Sequence, residues 1–148
     1  MTDDDPELPT PHAAFAAHFT DALYEDDGDD IAPFGSDEGW DLVTEWGERR
    51  DELSAHATVQ EVLDESPFPD ALEHVGVPVA ATPAARDGVD AARFVVVAGF
   101  TLLRLTGQID PEGRDATLRA LDALQEHTGP QQELDRMRED LRSFTPTP

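Results

Sequence analysis

The sequence predicts a mainly α fold: one domain, an irregular bundle of about five to six helices, behind a disordered acidic N-terminal tail. Three observations predict it. Apolar residues recur at steps of three and four along most of the chain, which is the periodicity of one helical face. Proline and glycine punctuate those stretches at starts and stops, as at Asp110-Pro111 and Gly129. A length of 148 residues suits one hydrophobic core rather than two.

The elements follow in order. Residues 1–10 combine acids with Pro6 and Pro9 and read as a tail; residues 11–144 form the domain, and 145–148 a short C-terminal tail. Pro11 suits a first helical turn, and Phe15, Phe19, Ala22 and Leu23 share a face, so a first helix is expected to run to Tyr24. The acidic run Glu25 to Asp30 reads as a loop. Ser36 is placed to cap a second helix, with Asp37 and Glu38 favourable in its first turn. Trp40, Val43, Trp46, Arg50 and Leu53 continue it at helical spacing. Thr58 and Glu61 form a capping-box pattern ahead of a short third helix. Asp70 to Val75 reads as one or two helical turns closed by Gly76, followed by an extended Val77-Pro78-Val79 connector.

Asp90 to Thr106 carries competing signals. Phe94-Val95-Val96-Val97 favours a strand, whereas the unbroken apolar length and the Gly107 stop favour a buried helix. Length decides for helix. Asp110-Pro111 starts the next helix, with Leu118, Leu121 and Leu124 on its buried side. Pro130 opens the last, in which Leu134, Met137, Leu141 and Phe144 mark the face that packs back antiparallel on its predecessor.

Charge bounds the environment. The chain has 33 acidic residues against 10 basic ones, a formal net charge of -23. Such self-repulsion opposes compaction unless salt screens it. All the basic residues are arginine, with no lysine, and Asp outnumbers Glu. Carboxylates hold water and hydrated cations, while lysine's apolar stem is dispensable where salt already strengthens burial. The expectation is a halophilic archaeal protein, cytoplasmic because the N-terminus lacks the basic and apolar regions of a secretory signal. Cysteine is absent, which removes disulfides, thiolate metal sites and thiol catalysis.

Motifs for chemistry are sparse. The Glu25 to Asp30 run lacks the alternation of an EF-hand. His12, His18, His56, His74 and His127 never stand four apart, as two imidazoles on one helical face would. No nucleophile elbow and no phosphate-binding or dinucleotide glycine pattern is present. Abundant carboxylates identify no acid–base pair. No catalytic, cofactor or metal residue is therefore assigned, and no cofactor is expected.

Six residues stand out as an interaction surface. Trp40, Trp46, Arg49 and Arg50 are of the types enriched at binding hot spots. The two tryptophans are six positions apart, about 240° around a helix, so one can be buried while the other reaches an edge. Arg93 and Arg104, eleven positions apart, share a stripe on an otherwise apolar helix. That stripe reads first as a solvent edge with arginines paired to carboxylates, and second as a groove for an anion or acidic partner.

At Phe34-Gly35-Ser36-Asp37-Glu38-Gly39-Trp40-Asp41 the chain resembles the opening of a prokaryotic family catalogued as domain of unknown function 4259. The apolar helix ending at Thr106-Gly107 and the Glu133-Leu134 pair near the last helix resemble its later order. The resemblance implies a compact helical domain over about Ile31 to Phe144 and supplies no activity. The function expected is a non-catalytic interaction or regulatory module, with a protein partner or a second copy and without nucleic acid or membrane. The alternatives are a small metal- or anion-binding hydrolase-like protein with a site made from His18, His127 and nearby acids or from the arginines, and an acidic inhibitor or immunity-type protein.

Overall fold

The computed structural model describes residues 9–25, 32–35, 37–54, 56–66, 71–74, 84–129 and 131–144. Helices account for the architecture, and there is no strand among the described residues. In chain order they are α1 (Ala13–His18), α2 (Asp37–Glu48), α3 (Val59–Asp64), α4 (Ala71–His74), α5 (Ala84–Thr106), α6 (Pro111–Thr128) and α7 (Gln132–Ser143), with 3-10 turns at Ala22–Glu25 and Arg50–Glu52.

The valine-rich segment is helical, and it is the centre of the molecule. α5 packs against α1, α2, α3, α4 and α6. From Ala91 to Leu105 it is buried on nearly every side, the pattern of a helix inside a core rather than on its surface. Its β-branched residues cost some helix propensity, which burial of Val95, Val96 and Val97 outweighs. Close approach to α6 is set at Gly99, where an added Cβ would collide with Thr117. The helix stops where expected: Gly107 takes φ 71° and its N–H returns to the Leu103 carbonyl at 2.8 Å.

Two expected helices are shorter than their apolar patterns. The first leaves α geometry at Phe19, where ψ is 76°. Asp21 Oδ1 then accepts the Leu23 N–H at 3.0 Å and restarts the chain as a 3-10 turn. A side chain competing for backbone N–H groups breaks the helix, yet Phe15, Phe19, Leu23 and Tyr24 all remain buried. They join Phe34, Phe100 and Phe144 in an aromatic cluster, with Phe15 and Phe19 stacked at 4.7 Å. The second ends at Glu48, and Arg50–Glu52 tightens into a 3-10 turn before Leu53. Ser36, its expected cap, lies outside the described residues, as do the acidic run 26–30, Gly76 and the Val77–Val79 connector, Pro130 and the C-terminal 145–148.

α1 begins at Ala13 with His12 as its cap, Nδ1 accepting the Ala14 N–H at 3.0 Å, so Pro11 precedes the helix; α5 begins at Ala84, ahead of the expected Asp90. The starts of α3 and α6 follow their signals. Thr58 Oγ1 accepts the Glu61 N–H at 3.2 Å to begin α3. Asp110 caps α6 by accepting the Gly113 N–H at 2.9 Å, with Pro111 in the first turn. α7 runs antiparallel to α6: Arg138 reaches Asp122, Gln125 reaches Asp135, and Arg114 donates to the Leu141 and Arg142 carbonyls, both at 2.8 Å. Leu134, Met137, Leu141 and Phe144 fill the joint. Of the expected α6 face, Leu121 and Leu124 are buried and Leu118 is partly covered.

Asp110 does more than cap its own helix, because its Oδ1 also accepts the Val59 N–H at 2.9 Å and ties the start of α3 to the start of α6. Asp110→Ala is therefore expected to cost about 2 kcal/mol, against about 1 kcal/mol for Thr58→Ala. Urea unfolding of both variants in molar potassium chloride checks the order; equal losses would mean that the second bond contributes nothing.

Candidate functional site

The polar chemistry of the chain converges on the C-terminal turn of α5. A helix leaves its last carbonyls without intrahelical partners, and here other segments supply them. His12 N–H donates to the Arg104 carbonyl at 2.6 Å, and Arg50 Nε donates to the Leu105 carbonyl at 3.2 Å. The N-terminal segment and the end of α2 are thereby fastened to one helix terminus.

Arg104 is the second fastening, and its position corrects the sequence reading. The side chain is 1% exposed rather than on a solvent edge or lining a groove. The reason is that its side of α5 is covered by the N-terminal segment, whose contribution a helical wheel does not contain. Nε donates to the Pro9 carbonyl at 2.7 Å and Nη1 to the Tyr24 carbonyl at 3.3 Å. Nη1 and Nη2 donate to Glu25 Oε2 and Oε1 at 2.5 and 3.2 Å. The guanidinium also lies over the rings of Phe34 and Phe15, at 5.3 and 5.9 Å. Pro9, at the end of the expected tail, is thus held in place, and its ring sits against Gly47 of α2. The cation is buried while its counter-charge is exposed, so loss of Glu25 leaves an uncompensated interior charge and is destabilising.

A second polar cluster joins the N-terminal segment to α7. The buried Tyr24 hydroxyl donates to Asp140 Oδ2 at 2.7 Å. Its ionisation is pushed well above the ordinary tyrosine range, first by burial and then by the Asp140 carboxylate. Arg136 lies between Asp21 and Asp140 at 3.5 and 3.6 Å. His18 Nε2 is 2.7 Å from the Asp140 carbonyl oxygen, which only accepts, so this nitrogen carries the proton and donates. The same nitrogen is 3.0 Å from Ser143 Oγ. His18, a candidate for metal or anion chemistry, therefore faces a carbonyl, a hydroxyl and the rings of Phe19 and Phe144. The side chain of His127 lies outside the described residues. No group of three or more His, Asp and Glu placed to hold a metal occurs among the described residues.

The α2 candidates separate. Trp46 is buried and Trp40 is partly exposed, as their angular offset allows. Arg49 stacks on the Trp46 ring at 4.5 Å and bridges Glu52 and Glu65 at 2.9 and 2.8 Å. Arg93 is half-buried and makes no ion pair with a described residue. The structure therefore brings Arg104 together with Tyr24 and Glu25, and Arg50 with the end of α5; Arg93 and Trp40 join neither cluster. Tyr24, Glu25, Asp140 and Arg136 were not singled out from sequence. The available signal was Arg104 itself, since an arginine within an apolar helix needs an acceptor, but 33 acids gave no means of choosing one.

No family model matches the chain, and no curated protein and no solved structure matches it. No helix among the described residues is long and apolar enough to cross a membrane.

Hydrogen bonds from Arg49 hold Glu52 and Glu65 below the ordinary glutamate value of 4.5. A carboxylate depressed in the folded state adds stability above its unfolded value and loses it as pH falls through the folded one. Arg49→Ala is expected to be less stable than the parent at neutral pH by a small margin, as befits exposed pairs, and the gap is expected to shrink below pH 4.5. Melting temperature against pH for both proteins checks this; a gap independent of pH would assign Arg49 a packing role on Trp46 alone.

Proposed function

We propose that the chain is a non-catalytic protein-interaction module of a halophilic archaeal cytoplasm, docking through the edge of α2 that carries Trp40. The observation that carries this reading is the incomplete burial of that indole. Phe15, Phe19, Tyr24, Phe34, Trp46, Phe100 and Phe144 are buried. Trp40 and Phe94 are only partly covered, and Trp40 has Asp41, Glu45 and Glu48 exposed along its own helix. Tryptophan is among the residues most enriched at hot spots, where one large ring anchors a partner and a polar rim excludes water.

The arginines first weighed for this role serve other ends. Arg104, Arg50 and Arg49 bond to Glu25, to the Leu105 carbonyl and to Glu52 with Glu65. The module therefore rests on Trp40, with the half-buried Arg93 as a lesser contributor. The family resemblance over Ile31 to Phe144 is compatible with such a domain and adds no activity to it. Support for the saline setting is compositional: a net charge of -23 carried without lysine.

Purification of the tagged protein from its own host in molar potassium chloride is expected to retain one stoichiometric partner, or a second copy of the chain. Trp40→Ala is expected to weaken that association by roughly 30-fold or more while preserving the helical circular dichroism. A partner retained in full by Trp40→Ala, or a strictly monomeric and partnerless protein, would remove the reading. Separately, dilution from molar to low salt is expected to reduce helicity as carboxylate repulsion loses its screening. A spectrum indifferent to salt would contradict the saline adaptation.

A further inference from the structure

Arg104 and Glu25 form a pair with very unequal access to water. The guanidinium side chain is 1% exposed, whereas the Glu25 side chain is 59% exposed. The cation is fixed from behind by the Pro9 and Tyr24 carbonyls at 2.7 and 3.3 Å and by the rings of Phe15 and Phe34. Its Nη1 and Nη2 edge meets both oxygens of Glu25. This is the paired geometry in which a planar guanidinium recognises a planar carboxylate. Glu25 is also the last residue of its 3-10 turn, so the carboxylate reaches the cation from the solvent side, at the end of an element.

We infer that Arg104 is a built carboxylate receptor, filled in the parent chain by Glu25 and open from the solvent side to a free carboxylate once that side chain is removed. The site is independent of the docking edge on α2. Its recognition elements remain when Glu25 is removed, because Arg104, Pro9, Tyr24, Phe15 and Phe34 belong to other positions of the chain. Glu25→Ala deletes one methylene and the carboxylate, a fragment the size and charge of acetate. The vacated volume meets a buried cation that, among the described residues, retains the Pro9 and Tyr24 carbonyls as its acceptors. A buried charge without its counter-charge is costly, and this cost drives uptake of the small anion. A spherical halide offers one acceptor point to the guanidinium edge, whereas a carboxylate offers two. Carboxylates are therefore selected over chloride.

The test is the melting temperature of Glu25→Ala in molar potassium chloride, titrated with potassium acetate at constant ionic strength, beside the parent chain and the double variant Glu25→Ala, Arg104→Met. Glu25→Ala is expected to lose about 10 °C in chloride and to recover most of it in acetate with a saturating dependence. The parent and the double variant, titrated alike, report the general stabilisation by an excluded salt, which rises without saturation. If Glu25→Ala does not fold in chloride, recovery of its helical circular dichroism in acetate becomes the readout. Three results would overturn the inference: a Glu25→Ala as stable as the parent in chloride, an acetate response that runs parallel in all three proteins, or a variant that acetate does not return to the folded state.

Discussion

The structure depends on how the C-terminal turn of α5 is completed. A helix buried on nearly all sides ends against other segments, and its terminal carbonyls have no intrahelical partners. His12 and Arg50 meet two of them from opposite directions in the chain. Once those bonds form, the N-terminal segment and the end of α2 have their places. Arg104, in the same turn, then draws in Pro9, Tyr24 and Glu25. The aromatic cluster of Phe15, Phe19, Tyr24, Phe34 and Phe100 closes over the result.

A chain with three times as many acids as bases uses its few cations between elements. Arg50 joins the end of α2 to α5, Arg114 joins α6 to the end of α7, and Arg138 joins α7 to α6. Arg136 reaches from α7 to Asp21 beside the N-terminal 3-10 turn, and Arg49 reaches Glu65 after α3. Exposed ion pairs of this kind contribute little singly. Their value here is geometric, since guanidinium presents five donors in a fixed plane and satisfies carbonyls and carboxylates on two segments at once. Lysine, with a compact and strongly hydrated charge, would make a poorer bridge at each of these joints.

The helices were legible wherever a local signal had no competitor. Asp110-Pro111, Thr58 with Glu61, Gly107 and Gly129 act through their own backbone neighbours, so a sequence states them directly. The Val95 to Val97 run needed its length as arbiter, because β-branched residues serve a buried strand equally well. The breaks at Phe19 and Glu48 were not legible from apolar spacing, which continues through both. The second break tightens the chain to an i to i+3 turn, with Arg49 N–H on the Trp46 carbonyl at 3.0 Å, and delivers Arg50 to α5.

By itself the sequence determined the helical class, the caps at Thr58 and Asp110, the glycine stops at Gly107 and Gly129 and the acidic, lysine-free composition. Each follows from forces acting over a few residues or from composition summed over the whole chain. Only the tertiary structure decided that Arg104 is interior, that Glu25 and Asp140 are the acids engaged by Arg104 and Tyr24, and that Trp40 rather than Trp46 meets solvent. Those assignments depend on which segment covers which side of a helix. Coverage arises from contacts some 80 and 116 residues apart, and no periodicity within one element encodes it.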